Sequence, residues 1–175
     1  MSVHKACRIG PCDDPSTRTC VHPDRRSVYG ITGQINRKCG MRKLKKSSAQ
    51  MVADARAGIE EIESEKLISM LGDPDLVIVD IRDIRERQRS GYIPGSIHAP
   101  RGMVEFWVDP ESPYFKEIFG NDRKFVFHCA SGWRSALTVS TLQDMGFEAA
   151  HLKKGFSDWV RKGGPIEGNP DETDS

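Results

Sequence analysis

The stretch Phe125-Val126-Phe127-His128-Cys129-Ala130-Ser131-Gly132-Trp133-Arg134-Ser135 concentrates the residue types best suited to covalent chemistry. An apolar run ends at Cys129, a short loop follows, and a helical pattern begins near Arg134. That order sets a thiol beside backbone N–H groups that have no partner inside a helix. Those donors and the positive end of the helix favour thiolate over thiol, and the thiolate is the nucleophile. The same groups suit an anionic substrate or a sulfur-loaded cysteine. Gly132 supplies the freedom to curl the loop, and Arg134 adds a fixed charge at its rim. The candidate site is therefore Cys129 as nucleophile, with Ala130, Ser131, Gly132, Trp133, Arg134 and Ser135 as the binding loop. The plainer alternative is a buried cysteine packing as a small hydrophobe, but strand-Cys-loop-Gly-x-Arg-helix is a more specific pattern. Trp133 reads as a packing or pocket-wall residue, and His128 as a core histidine rather than a base.

The elements that must position this loop alternate between strand and helix. Expected strands are Leu76–Asp80, Ser96–His98, Phe125–His128, Ala149–Leu152 and a short one near Gly58–Ile62. Expected helices are Lys66–Leu71 capped by Ser64, Asp83–Arg89, Arg134–Met145 and Phe156–Arg161. In the third, Ala136, Val139, Leu142 and Met145 step by three, and Gly146 marks its end. The alternation predicts a parallel sheet covered by helices, where chemistry collects at strand C-termini. Arg101–Val108 is ambiguous: its aromatics either line the pocket mouth or belong to a surface helix packing Phe106 and Trp107 inward.

Composition limits the alternatives. The chain is 37% hydrophobic and 29% charged, as in a soluble globular protein, and no apolar run approaches the ~20 residues that span a bilayer. The net charge of +1 hides an asymmetry. Residues 1–46 carry eleven Lys/Arg against three Asp, and residues 47–175 carry fifteen against twenty-two Asp/Glu. A boundary is placed near Ser47. Residues 1–46 read as a basic, disordered extension, with a misassigned start before Met41 as one explanation of its first forty residues. Residues 57–168 read as the folded domain, and 169–175 as an acidic disordered tail. Four of the five cysteines fall in the basic segment without paired C-x2-C spacing, so no metal site is expected. The lone Cys129 in the body suits a reducing, cytoplasmic compartment. Few aromatics interleave the basic residues, so neither nucleic acid nor membrane is an expected partner.

Four ordered motifs carry a resemblance. Cys129-Ala-Ser-Gly-Trp-Arg134 resembles the C-x-x-G-x-R loop of single-domain rhodaneses. Asp80-Ile81-Arg82 with Glu86 is similar to that family's D-x-R…E signature. Gly91-Tyr-Ile-Pro-Gly-Ser-Ile97 resembles its G-H-I-P-G-A-I stretch, and Gly155-Phe-Ser-Asp-Trp159 its closing G-G-x-x-x-W. The resemblance implies an α/β, three-layer α/β/α fold with a five-stranded parallel sheet. It implies sulfurtransferase chemistry without a cofactor, in which Cys129 takes sulfur from thiosulfate or a mercapto acid as a persulfide. A thiol, cyanide or a protein sulfur acceptor then removes it, in ping-pong order. Asp80, Arg82 and Gly95 would be structural. Ala130 stands where many rhodaneses carry Arg, leaving the loop less cationic towards thiosulfate. Two rivals remain. One is a sulfur-carrier or interaction module. The other is a Cys-dependent phosphatase or arsenate reductase, whose H-C-x5-R loop is one residue longer than His128-Cys129-x4-Arg134.

Overall fold

β2 (Leu76–Asp80) and β4 (Lys124–His128) are apolar runs because both faces of the sheet are covered at its centre. The computed structural model describes residues 43–168, and the chain from Lys46 onward forms one unit. Expectations for 1–42, including the misassigned start and the basic extension, and for the tail at 169–175 lie outside the described residues. β1 (Glu60–Ile62), β3 (Ile97–His98) and β5 (Ala150–Leu152) complete a five-stranded parallel sheet in the order β1-β5-β4-β2-β3.

Side chains alternate across that sheet with the period of two that a strand imposes. Val77, Val79, Phe125 and Phe127 face α4 (Val104–Val108) and α5 (Trp133–Asp144), in a cluster that includes Cys129, Val139 and Leu142. Ile78, Val126, Ala150 and Leu152 face α2 (Ser64–Ser69) and α6 (Gly155–Arg161), packing on Leu67, Phe156 and Trp159. The expected three-layer α/β/α architecture is thus observed. Among the described residues, no helix is long and apolar enough to cross a membrane.

Several local expectations are corrected. α1 (Ser48–Arg56) was not anticipated. Ser47 caps it by accepting from the Gln50 N–H at 3.1 Å, and it buries Val52 and Ala55 while packing against α5. Ser64 does not cap α2. It is the first helical residue, and its hydroxyl donates to Asp158 at 2.7 Å, tying α2 to α6. α3 (Ile84–Ser90) opens with a capping box in which Asp83 and Glu86 satisfy each other's backbone donors. Met145 sits at the end of α5, exposed rather than inward. In α4, Val104 and Val108 go inward and Trp107 packs partly buried on the same cluster, as the surface-helix alternative expected, whereas Phe106 is exposed.

Candidate functional site

Cys129 follows β4 directly, and α5 begins four residues later at Trp133, so the loop has little slack. Gly132 closes it with φ +81°, and a Cβ there would run into the Lys153 carbonyl. Gly155 makes the same close approach from α6. A Cβ on it would lie 2.5 Å from the Cys129 carbonyl oxygen and 2.7 Å from the Gly132 nitrogen. Two hydrogen bonds lock the contact: Phe156 N–H donates to the Cys129 carbonyl (2.8 Å) and Ser157 N–H to that of Ala130 (3.0 Å). The carbonyls of Cys129 and Ala130 are therefore occupied by α6. Among the described residues, no acceptor is found for the backbone N–H groups of Ala130 to Ser135. These six N–H groups are the ones the sequence reading assigns to an anion-binding loop.

The side chains of the loop separate into three roles. Ser135 is buried, and its hydroxyl lies 3.6 Å from Cys129 Sγ. Trp133 stands about half exposed at the first turn of α5. Arg134 reaches across to α3, where both terminal nitrogens donate to Glu86 at 2.7 and 2.8 Å. This fork-to-fork pair holds the Glu86 carboxyl below its ordinary value. It raises the Arg134 guanidinium against the opposing effect of desolvation, with a further contribution from Cys129. The groove beside Ala130 is walled by Arg82, Glu86, Arg89, Phe156 and Ser157. Neither Phe106 nor Trp107 reaches that groove.

Beneath the loop, on the β2 side, is a closed ionic cluster. Arg82, 2% exposed, donates from Nε and a terminal nitrogen to Asp80 (2.8–3.0 Å), and also to Ser90 Oγ and the Gly91 carbonyl. Its guanidinium lies 4.0 Å from the centre of the Phe156 ring, and Arg87 approaches Asp80 from the other side at 3.7 Å. Burial works against the Asp80 carboxylate. Its bonds from Arg82 outweigh that effect and keep its pKa below the usual value. Asp80 and Arg82 thus hold β2, the end of α3 and α6 in one register. His128 is fully buried beside them, stacked on Phe156, and neither ring nitrogen finds a hydrogen-bond partner among the described residues. Burial pushes its pKa down to about 4, with Asp80 opposing, so the ring is neutral. This is the core histidine expected from sequence.

The other side of Cys129 holds a group that sequence reasoning missed. His151 on β5 is fully buried, with Nδ1 3.3 Å from Ser135 Oγ and Nε2 3.0 Å from Glu61 Oε1 on β1. Arg56 of α1 places Nε 3.3 Å from the same oxygen and donates from a terminal nitrogen to the Lys153 carbonyl. The only sequence signal was a histidine between apolar residues in a short strand, which says nothing about its neighbour on β1.

Comparison with known proteins agrees with the fold and brackets the chemistry. The rhodanese-like domain pattern matches residues 63–162. A mouse protein named thiosulfate sulfurtransferase/rhodanese-like domain-containing protein 3 is 32% identical over 101 residues, 54% of this chain and 64% of its own. This chain therefore spans just under two thirds of that relative. The thiosulfate sulfurtransferase GlpE of Glaesserella parasuis is 30% identical over 108 residues, 61% of this chain and 92% of its own. Other relatives carry the names of a dual specificity phosphatase and an arsenate reductase. A solved structure from Rhodopseudomonas palustris, described as a protein of unknown function and possible tyrosine phosphatase, is 49% identical. It covers 73% of this chain and all of that one with a TM-score of 0.70. With the sheet order, the Cys129 loop and a match over residues 63–162, the chain belongs to the rhodanese-like domain family.

Proposed function

We propose that the protein is a sulfurtransferase that carries sulfane sulfur on Cys129. The observation that bears most weight is that, among the described residues, the six backbone N–H groups following the Cys129 thiol have no acceptor, while the Cys129 and Ala130 carbonyls are bonded by α6. In the proposed cycle the Cys129 thiolate attacks the outer sulfur of thiosulfate or a mercapto acid. The S–S or C–S bond of the donor breaks, and sulfite or the enolate of the desulfurised acid leaves with its electron pair. The persulfide sits among the loop donors until an acceptor thiolate, from a small molecule or a protein, attacks its outer sulfur and returns Cys129 as thiolate. Ala130, Ser131, Gly132, Trp133, Arg134 and Ser135 form the binding loop, Arg134 supplying charge from the rim. A reducing, cytoplasmic compartment belongs to the same reading.

Intact mass after brief incubation of reduced protein with thiosulfate tests it. Wild type is expected to gain one sulfur, about 32 Da, and Cys129→Ser to gain none. No gain from thiosulfate, mercaptopyruvate or a protein persulfide sinks the reading. A second reading, phosphate-ester hydrolysis through Cys129, is favoured by the description of the 49% identical structure. Against it, only four residues separate Cys129 from Arg134, and Arg134 is already held in a bidentate pair. Turnover of p-nitrophenyl phosphate lost in Cys129→Ser would favour it.

A further inference from the structure

We infer that His151 is a positioning residue which, held by Glu61, takes the proton of Cys129 through the Ser135 hydroxyl. The inference rests on Cys129 being the reactive nucleophile, as proposed above.

A chain of contacts runs from Sγ of Cys129 to Oγ of Ser135 (3.6 Å), from Oγ to Nδ1 of His151 (3.3 Å), and from Nε2 to Oε1 of Glu61 (3.0 Å). A carboxylate only accepts, so Nε2 of a neutral His151 carries the ring proton. Nδ1 is then free to accept from the Ser135 hydroxyl, whose oxygen can accept from the Cys129 thiol. Turned the other way, the same hydroxyl donates to Cys129 Sγ, which is the direction of the 3.6 Å contact in the structure and the one a thiolate requires. When the thiol ionises, its proton passes to Ser135 Oγ as the serine's own proton passes to Nδ1. The result is a thiolate that now receives the Ser135 O–H, and an imidazolium clasped by Glu61. No atom is gained or lost, and the path runs backwards when Cys129 is released as a leaving group.

Burial makes this arrangement consequential. Cys129, Ser135 and His151 are all 0–1% exposed, so water is a poor competitor for the proton. Desolvation lowers the His151 pKa more than its hydrogen bond to Glu61 raises it, so the ring rests neutral with Nδ1 unprotonated. The charges facing it come from every side: Glu61 from β1, Arg56 from α1, and Lys153 from the end of its own strand. Lys153 is itself engaged by Glu63 at 2.8 Å. α5 contributes Ser135 and the loop Cys129, and β4 contributes the uncharged Phe127 opposite His151. Arg56 and Lys153 both neutralise Glu61 in part and oppose charge on the ring, so His151 returns the proton readily.

The test is the pH profile of Cys129 alkylation by iodoacetamide in the full chain, read on the Cys129 peptide by mass spectrometry. His151→Gln keeps a hydrogen-bonding side chain that takes no proton. The expected outcome is an alkylation rate at pH 7 about tenfold lower, with the profile's midpoint moved up by about one pH unit. Ser135→Ala is expected to do the same, and the double variant no more than either single one. Glu61→Gln, partly exposed and so the safer variant for folding, is expected to slow alkylation about threefold. Profiles of His151→Gln and Glu61→Gln that superimpose on wild type overturn the relay. The persulfide mass gain is read separately. Its absence in wild type sinks the sulfurtransferase reading, whereas unchanged alkylation profiles with normal sulfur loading sink only the relay.

Discussion

Two buried histidines flank Cys129 on adjacent strands, and their surroundings are opposite. His128 on β4 lies over a closed ionic cluster of Asp80, Arg82 and Arg87, and forms no hydrogen bond of its own among the described residues. His151 on β5 is bonded at both nitrogens, in a path that starts at the thiol and ends at a partly exposed carboxylate. The two rings are alike in burial, so burial alone does not set them apart. Their hydrogen-bond connection to the Cys129 thiol does.

The largest effect is expected where the closed cluster is broken. Arg82→Ala would leave Asp80 ionised, fully buried and stripped of its bidentate partner, along with the Ser90 and Gly91 acceptors. A stability loss of about 3–5 kcal/mol is expected in urea unfolding, the range for one half of a buried pair. A loss under about 1 kcal/mol would show that the cluster is relaxed by water and does not clamp β2 to α6.

His128 gives the next effect, and its direction follows from its depressed pKa. The folded protein holds the ring unprotonated down to about pH 4, whereas the unfolded chain binds a proton near its ordinary value of 6.5. Stability from this group is therefore complete above pH 6.5 and is lost as pH falls towards 4. That window is worth about 3 kcal/mol. His151, also depressed, adds loss in the same direction. His128→Phe keeps the stack on Phe156 and carries no titratable group. Its urea midpoint is expected to fall much less than wild type between pH 6.5 and 4. An identical acid slope would locate the proton uptake elsewhere.

The contrast also explains what could be read from sequence. The Cys129 loop was legible because all its parts are contiguous. An apolar strand, a tight turn and a helix start identify themselves within eleven residues. The β2 anchor was legible for the same reason, with Asp80 and Arg82 two residues apart. The His151 path was not, since it joins α1, β1, α5 and β5, and Glu61 meets His151 only through the parallel pairing of β1 with β5. Those two residues stand 90 apart in the chain. α1 was missed because its apolar residues are mostly small alanines and only Val52 and Ala55 are buried, too narrow a stripe to announce a helix. Ser64 misled as a cap because its partner, Asp158, comes from a distant helix.

The smallest stability effect is expected at Glu86, whose pair with Arg134 is more exposed than the pairs around either histidine. The side chains are 27% and 41% exposed, so Glu86→Gln should cost under about 1 kcal/mol despite its fork geometry. Its effect on sulfur loading should be larger than its effect on folding. Glu86 neutralises the loop's rim cation, and the loop already lacks a charge at Ala130. Replacing the carboxylate releases the Arg134 charge to a dianionic donor. Persulfide formation from thiosulfate is expected to quicken about threefold at low ionic strength. The gain should vanish near 1 M salt, where the screening length shrinks to about 3 Å. A slower reaction at both ionic strengths would mean that Glu86 matters by fixing the direction of Arg134, and that the rim works through geometry more than through charge.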